Sequence, residues 1–135
     1  MGGHTDNINT LALSLDDTLL VSGSDDGRVR VWNIAGTEPA YWRFVRSFVR
    51  PSPFRIKVTS VAINQDKTKI FRGDSHGDIK IWDISSLDSK SWHFLKTLPC
   101  LSQVRSLAIS PDNKHLYSGS EDSTMSSDSN SEKLY

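Results

Sequence analysis

The chain repeats its own pattern, and this repetition constrains the fold more than any other feature of the sequence. The heptapeptide INTLALS at 8–14 aligns with VTSVAIN at 58–64 and with VRSLAIS at 104–110, at offsets of 50 and then 46 residues. The first offset persists further along the chain, where VRVWNI at 29–34 falls on IKIWDI at 79–84. A period of about 20 to 50 residues indicates stacked units that bury each other's faces.

Within each unit, short apolar runs alternate with polar residues, which is the pattern of half-buried β-strands. Turn signals such as the DDG sequence at 25–27 separate the runs, so each unit reads as an antiparallel meander. Repeated units of four short strands are typical of β-propeller blades. The predicted strands lie near 8–14, 18–23, 28–33 and 41–49, near 58–64, 68–73, 78–83 and 92–98, and near 104–110 and 114–119.

The residues that mark the boundaries of the first unit are specific. Gly3 and His4 open it, Ser22 and Gly23 lie in its second strand, Asp26 follows in a turn, and the pair WN at 32–33 closes its third strand. This pattern resembles the WD-repeat β-propeller family, whose units run from a Gly-His pair to a Trp-Asp pair. The resemblance covers residues 3 to about 122. It implies an all-β propeller fold. Together with the number of repeats, it predicts a partial propeller with two four-stranded antiparallel blades, an incomplete third blade, and an open rather than a closed ring.

The length of 135 residues limits the number of blades. We expect blade 1 at 1–50, blade 2 at 51–99, an incomplete third blade of two strands at 100–122, and a disordered serine-rich tail at 123–135. Because closed propellers use about 4 to 8 blades, we expect the chain to be a fragment of a longer propeller protein. An open array exposes sheet faces and a strand edge, so self-association through exposed blade faces is also expected.

The resemblance implies a structural role for four residues of the first unit. His4, Ser22, Asp26 and Trp32 are expected to form a buried network of hydrogen bonds, in which Asp26 accepts from the imidazole and Ser22 bridges to the indole N–H. A Ser-His-Asp set also suggests nucleophilic catalysis. We favour the structural interpretation and predict no enzyme activity, because the blade motif accounts for all three residue types.

The other units keep only part of this network. The second unit retains Trp82, and the third retains Ser118 and Asp122. The remaining positions of the second unit depart from the motif and hold Phe54, Arg72 and His76. We therefore expect packing to hold the second blade, and a buried Arg72 would need a partner that the sequence does not identify.

The family commonly docks partners on one face of the propeller, made by the loops before the first strands and the turns between the second and third strands. Carried over by position, this candidate partner-binding face includes five residues, which are Asp25, Arg55, Lys57, Ser75 and Glu121. The alternative is that these are ordinary solvated turn residues. The first interpretation predicts a non-catalytic protein–protein interaction platform.

Charge suggests a second function. The chain balances 16 basic against 16 acidic residues, yet five basic residues and no acid lie between Glu38 and Asp66. Segment 41–57 also carries five aromatic residues, a combination that binds RNA by stacking and phosphate contact. The alternative function is thus an RNA-associated module, as in ribosome-biogenesis or RNA-processing complexes. We favour an outer strand with buried aromatics instead, because Trp42 recurs as Trp92 in a unit without basic excess.

Several classes are excluded by composition. No apolar run reaches the roughly 18 to 20 residues of a membrane span, and no signal peptide is visible. Cys100 is the single cysteine, so an internal disulfide is impossible and an intracellular location, in the cytoplasm or nucleus, is expected.

Asp74, His76 and Asp78 lie in one short turn, but no second cluster completes a metal site. We predict neither a metal nor a cofactor.

Overall fold

The computed structural model describes residues 4–36, 38, 42–49, 56–99, 103–120 and, for the backbone alone, 125–128. The regular structure of these residues is β-strand, apart from a 3₁₀ turn at Ser89–Ser91. No helix in this part of the chain is long and apolar enough to cross a membrane. The all-β fold predicted from the repeat is confirmed.

The strands form three antiparallel sheets, in which every strand pairs with its neighbour in sequence, and each sheet is one blade. The first blade contains β1 (Ile8–Leu13), β2 (Leu19–Ser24), β3 (Val29–Asn33) and β4 (Arg43–Phe48). The second contains β5 (Val58–Ile63), β6 (Lys69–Asp74), β7 (Asp78–Asp83) and β8 (His93–Pro99). The third contains β9 (Val104–Ile109), β10 (Leu116–Ser120) and β11 (Met125–Asp128).

The third blade has one strand more than the two that the sequence predicts. Strand β11 pairs with β10, with Ser118 opposite Ser126 and Gly119 opposite Met125. The segment therefore differs from the disordered tail expected from 123 onwards, whose other residues lie outside the described part of the chain. It occupies the third-strand position of the repeat, where backbone pairing to β10 requires no apolar side chain. The strand could not be predicted from the sequence, because its serine-rich residues lack the alternation of apolar and polar side chains that marks the other strands.

The repeat extends to the backbone of the turns. Asp17, Lys67 and Asn113 are related by the offsets of 50 and 46, and all three adopt a left-handed conformation, with φ of 59°, 59° and 62°. The turns between the second and third strands contain Gly27 and Gly77, with φ of 82° and 91°. Such φ values strain residues with a β-carbon and favour glycine or short polar residues. Equivalent turns thus have the same geometry in successive blades.

The hydrophobic core lies between the blades. One cluster joins Val21, Val29 and Val31 of the first blade to Val58 and Trp82 of the second. A second cluster joins the opposite face of the second blade to the third, and its buried members are Ala62, Phe71, Ile79, Ile81, Val104 and Leu116. The second blade is therefore covered on both faces, and it links the other two.

Each interface between blades contains a close contact of a valine with a glycine. A β-carbon added to Gly23 would lie 2.4 Å from Cγ1 of Val58, and one added to Gly73 would lie 2.5 Å from Cγ1 of Val104. These distances are too short for real β-carbons, so only glycine lets the next blade approach so closely. The valine that begins one blade sits on the second-strand glycine of the blade before it.

Hydrogen bonds accompany these contacts. The side-chain amide of Asn9 donates to the carbonyl of Val58 over 3.0 Å, and at the next interface the Thr59 hydroxyl donates to the carbonyl of Val104. Nearer the outer edge, Nη1 of Arg46 donates to the carbonyls of Ser89 and, over 2.8 Å, Trp92. Polar side chains therefore satisfy backbone groups of the adjacent blade along the interface.

Substituting the interfacial glycines should destabilise the fold. Gly23→Ala and Gly73→Ala each force a methyl group against a buried valine, so we expect each to lower the free energy of unfolding by about 1 to 3 kcal/mol. The control is Gly119→Ala, since a β-carbon there meets, among the described residues, only Ser106 Oγ at 2.9 Å. That hydroxyl can rotate away. Urea denaturation at low protein concentration measures all three variants, and equal losses would contradict the interface geometry.

Candidate functional site

A polar cavity of about 330 Å³ opens where the three blades meet. It lies at the end of the blades where β2 turns into β3, and β6 into β7. Its lining residues, here called the upper cavity, are Asn9, Asp25, Lys57, Thr59, Ser75, Gln103 and Arg105. Three residues of the candidate partner-binding face, Asp25, Lys57 and Ser75, are thus brought together. The other two, Arg55 and Glu121, lie outside the described residues.

Sequence reasoning missed four residues of the upper cavity. Asn9, Thr59 and Arg105 occupy one repeat position, the second residue of each blade's first strand, and Gln103 is the repeat equivalent of Lys57. The repeat alignment that located the turns contained this signal as well. Only the convergence of three first strands shows that these side chains share a cavity with the turns.

A hydrogen bond and a nearby ammonium group position the carboxylate of Asp25 in the upper cavity. The side-chain amide of Asn9 donates to Oδ1 of Asp25 over 2.5 Å, and Lys57 Nζ lies 3.9 Å from Oδ2. The Asp25 side chain is only 16% exposed, whereas that of Lys57 is 50% exposed. The backbone N–H of Lys57 also donates to Ser75 Oγ over 3.0 Å. The cavity therefore presents an anchored carboxylate beside a more exposed ammonium group, with the guanidinium of Arg105 in the same lining.

The turn that carries Asp25 rests on a network of four side chains. His4 Nδ1 lies 2.9 Å from Oδ2 of Asp26, and His4 Nε2 lies 2.7 Å from Oγ of Ser22. The indole N–H of Trp32 donates to the same hydroxyl over 3.4 Å. The indole N–H can only donate and the Asp26 carboxylate accepts, so with the Nδ1–H tautomer of His4 donation runs from Trp32 to Ser22, from Ser22 to His4 and from His4 to Asp26. The network begins near the end of β3, at Trp32, and ends in the β2–β3 turn.

This arrangement has the connectivity of a catalytic triad but not its exposure. Ser22 is 2% exposed, in the middle of a sheet, and its oxygen already contacts His4 and Trp32. A nucleophile must reach its substrate. The hydroxyl lies in the protein interior, so the geometry favours a structural role for the three residues.

Two opposing effects set the pKa of Asp26. Burial raises the pKa, but hydrogen bonds from His4 and from the backbone N–H groups of Arg28 and Thr5 stabilise the carboxylate, and together they lower the pKa below its ordinary value. The carboxylate accepts from Arg28 over 2.8 Å and from Thr5 over 3.0 Å. Asp26 therefore binds the loop before β1 to the turn after β2 most strongly when it is ionised.

The second blade holds the equivalent turn with different chemistry. Arg72 replaces the serine and is 1% exposed, and its Nη2 donates to Oδ2 of Asp74 over 2.6 Å. The other oxygen of Asp74 accepts from the backbone N–H groups of His76 and Asp78. The expectation that packing alone holds this blade was wrong. Asp74 is the partner that Arg72 needs, and it sits two residues along the same strand, where period-two alternation places both side chains on one face.

The remaining network residues are placed as follows. Trp82 is 3% exposed and lies beneath Arg72, whose guanidinium carbon is 5.9 Å from the centre of an indole ring. Ser118 is 4% exposed within β10. Asp122 lies outside the described residues, as do Phe54 and Cys100. The partial network of the third blade is therefore described only at Ser118.

In the turn that contains Asp74, His76 and Asp78, the carboxylate of Asp74 accepts hydrogen bonds from backbone N–H groups. Both carboxylate oxygens of Asp74 are occupied, by Arg72 and by the turn's own N–H groups. In the ranges that the structure describes, no group of three or more His, Cys, Asp or Glu side chains is arranged to hold a metal ion.

Some residues of the basic segment 41–57 make contacts within the protein and are therefore not free to bind RNA. Trp42 donates from Nε1 to the carbonyl of Gly36 over 3.0 Å, and its repeat equivalent Trp92 donates to that of Ser86 over 2.8 Å. Arg46 bonds to the backbone of the second blade, as described above. Arg43 and Phe44 are exposed. Arg50 and Arg55 lie outside the described residues.

Removing the charge of Asp26 should destabilise the protein in a pH-dependent way. Asp26→Asn leaves His4 and the turn with a weaker acceptor, and we expect a loss of about 1 to 3 kcal/mol at pH 7. Because folding lowers the pKa of Asp26, its contribution is fully present above the unfolded value near 4 and is lost as pH falls through the folded pKa. The difference from wild type should therefore shrink between pH 5 and pH 3. Urea denaturation across this range measures it, with Asp17→Asn in an exposed turn as control. A difference that is independent of pH would contradict this account.

The Arg72 and Asp74 pair should behave as a coupled unit. Asp74→Ala strands a buried guanidinium, so we expect a loss of about 3 to 5 kcal/mol. The double variant Arg72→Met and Asp74→Ala should recover part of that loss, because no uncompensated charge remains in the core. Lys67→Ala, which removes one half of an exposed ion pair with Asp16, is the control and should change little. Additive single effects in the double-mutant cycle would show that the pair is not coupled.

Known proteins share this repeat. The WD40 family, described as WD domain, G-beta repeat, matches residues 1–33, 44–83 and 92–126. Each of the two later stretches begins within the outermost strand of one blade, or one residue before it, and ends in the third strand of the next. The ribosome biogenesis protein ERB1 of Debaryomyces hansenii is 49% identical over 39 residues, which is 29% of this chain and 5% of that protein. The matched region thus spans a small part of that relative's length. Since the three family matches cover most of the sequence and coincide with the observed strands, the chain belongs to the WD40 family.

Proposed function

We propose that this chain is a non-catalytic scaffold that binds a protein partner through the upper cavity. The observation that carries the proposal is the convergence of Asp25, Lys57 and Arg105 at the junction of three blades. WD40 repeats imply an interaction scaffold. The upper cavity supports this choice of surface, because its charged and hydrogen-bonding groups suit a polar segment of another protein.

The charges of the upper cavity favour a partner with acidic side chains. Lys57 and Arg105 supply two cationic groups, while the carboxylate of Asp25 is already held by Asn9. Lys57 is the more exposed member of its pair with Asp25, so its ammonium can contact a second carboxylate. Such contacts mainly set specificity and association rate, and they weaken as salt rises.

The turns around the cavity are preorganised. Asp26 and Asp74 hold the turns that carry Asp25 and Ser75, and both carboxylates accept backbone N–H groups of those turns. A rigid site loses little conformational entropy on binding. This explains why buried polar residues beneath a turn support an interaction made by the turn itself.

RNA association is the second candidate. It is supported by the printed function of the relative, a ribosome biogenesis protein, and by the exposed Arg43 and Phe44 of the basic segment. Arg46 does not support it, because its guanidinium is bonded to the backbone of the neighbouring blade. The protein scaffold is therefore the better-supported function. Under either function, an intracellular location remains a prediction from the single Cys100.

Charge reversal in the upper cavity should remove partner binding. Lys57→Glu and Arg105→Glu together should reduce the recovery of bound proteins from an RNase-treated cell extract by at least about tenfold, since two attractive contacts become repulsive. The measurement is quantitative mass spectrometry on proteins retained by the immobilised chain. Lys90→Glu, an exposed change at the opposite end of the second blade, is the matched control and should retain them.

Two outcomes would contradict the proposal that the chain binds a protein partner through the upper cavity. Equal recovery by the cavity variant and by the Lys90→Glu control would show that the upper cavity is not the binding surface. Proteins recovered without RNase but lost after RNase treatment would show that RNA bridges them, which would favour the second candidate.

A further inference from the structure

A second cavity, of about 410 Å³, opens between the first and second blades at the end opposite the upper cavity. On one side it is lined by β2 and β4 of the first blade, and on the other by the β5–β6 turn and the loop after β7. We call it the lower groove, and its lining includes Leu19, Val45, Asp66, Ile84, Leu87 and Trp92. Its volume lies within the range of about 300 to 1,000 Å³ that is typical of binding clefts.

The centre of the lower groove is apolar. Ile84 and Trp92 of the second blade are buried, and Leu19 and Val45 of the first blade are partly buried against the same core. At the rim, Leu87 is fully exposed. A single exposed leucine is common on protein surfaces, but Leu87 lines a concave apolar surface and can contact an apolar side chain that enters it.

The repeat does not require this apolar lining. At the interface between the second and third blades, the position of Leu19 holds Lys69, and the position of Asn33 holds Asp83. Blades therefore pack together with charged residues at the positions where the lower groove has a leucine and an amide. The apolar lining is a property of the first interface and not a general requirement of the fold.

Contacts between the blades fix both walls of the lower groove. Nη1 of Arg46 donates to the carbonyls of Ser89 and Trp92, which ties the loop after β7 to the first blade. Nζ of Lys67 lies 2.5 Å from Oδ2 of Asp16, which ties the β5–β6 turn to the β1–β2 turn. A preformed groove loses little conformational entropy when it binds a ligand.

The charge of the lower groove is negative. Lys67 is the only cation in its described lining, and Asp16 neutralises it. Asp66 also lines the groove and is exposed, and its Oδ1 accepts hydrogen bonds from the N–H and the hydroxyl of Thr68. No other cation of the described lining balances the carboxylate of Asp66, so it attracts a cationic group.

We propose that the lower groove binds a short segment of another protein, in which a bulky aliphatic side chain lies next to a lysine or an arginine. The aliphatic side chain packs against Leu19, Ile84 and Leu87, and the basic group pairs with Asp66. An apolar centre with a polar rim is typical of protein interfaces, whereas small-molecule sites enclose most of their ligand. This proposal does not rest on the function proposed for the upper cavity, whose charges favour acidic side chains.

Selection of phage-displayed random peptides on the immobilised chain tests the proposal. We expect the enriched peptides to share an aliphatic residue adjacent to a lysine or an arginine. Fluorescently labelled synthetic copies then give dissociation constants by fluorescence polarisation. Leu87→Ser should raise the dissociation constant about fivefold or more, because it removes an apolar contact.

Asp66→Asn isolates the charge, because asparagine keeps an oxygen that accepts from Thr68. We expect it to raise the dissociation constant about twofold to fivefold, since an exposed ion pair contributes little. In the Asp66→Asn protein, replacing the basic residue of the peptide by glutamine should have little further effect. In the wild-type protein, the same replacement should weaken binding.

Two variants are matched controls. Asp112→Asn makes the same change in the equivalent turn of the third blade, where Oδ1 of Asp112 accepts from Ser110 and Lys114. Leu15→Ser changes another exposed leucine, which does not line the lower groove. Both should bind the peptides as the wild type does. Circular dichroism verifies that each variant is folded.

Four results would overturn the proposal. Enriched peptides without the aliphatic and basic pair, or no enrichment at all, would contradict the predicted chemistry. Equal binding by wild type, Leu87→Ser and Asp66→Asn would place the site elsewhere. Binding that is lost in the Lys57→Glu and Arg105→Glu variant but kept in the groove variants would assign the peptides to the upper cavity. Self-association of the chain that the peptides displace and that Leu87→Ser abolishes would identify a second copy as the occupant.

Discussion

The contact of a valine side chain with a glycine of the neighbouring sheet is the interaction on which the rest of the structure depends. Val58 on Gly23 and Val104 on Gly73 bring the sheets close enough for their apolar faces to exclude water. No sheet of four short strands buries enough apolar surface by itself, so stability comes from the interfaces. The first strands also converge at these contacts, which places Asn9, Thr59 and Arg105 around one cavity.

The first two blades use different polar residues to hold the turn between the second and third strands. In the first blade a chain of hydrogen bonds runs from Trp32 to the carboxylate of Asp26, and in the second a guanidinium pairs directly with the carboxylate of Asp74. Both solutions end in a carboxylate that accepts the backbone N–H groups of the turn. What the two blades share at this place is therefore a carboxylate acceptor with a buried donor, and not a particular set of residues.

Much of the fold follows from the repeat, because period-two alternation and turn residues act locally. Ten strands were predicted within a few residues of their observed bounds, with β2 expected near 18–23 and found at Leu19–Ser24. Strand β11 was missed, since its pairing depends on the free edge of β10 and not on its own serine-rich sequence. The partner of Arg72 was not identified, because the family motif has its carboxylate at the position of His76, whereas the acceptor Asp74 lies two residues earlier. For the site, the turn residues Asp25 and Ser75 were predicted, but the first-strand residues beside them were not.

The sequence by itself determined the class of structure, the number and order of the strands in the first two blades, and the residue types at their turns. These properties arise from interactions between residues close in the chain, whose spacing is visible in the sequence. Only the tertiary structure decided which faces of the second blade are covered, which side chains share the upper cavity, and which residue pairs with Arg72. The first two of these properties depend on contacts between residues about 50 positions apart, and such contacts exist only once one blade has packed against the next.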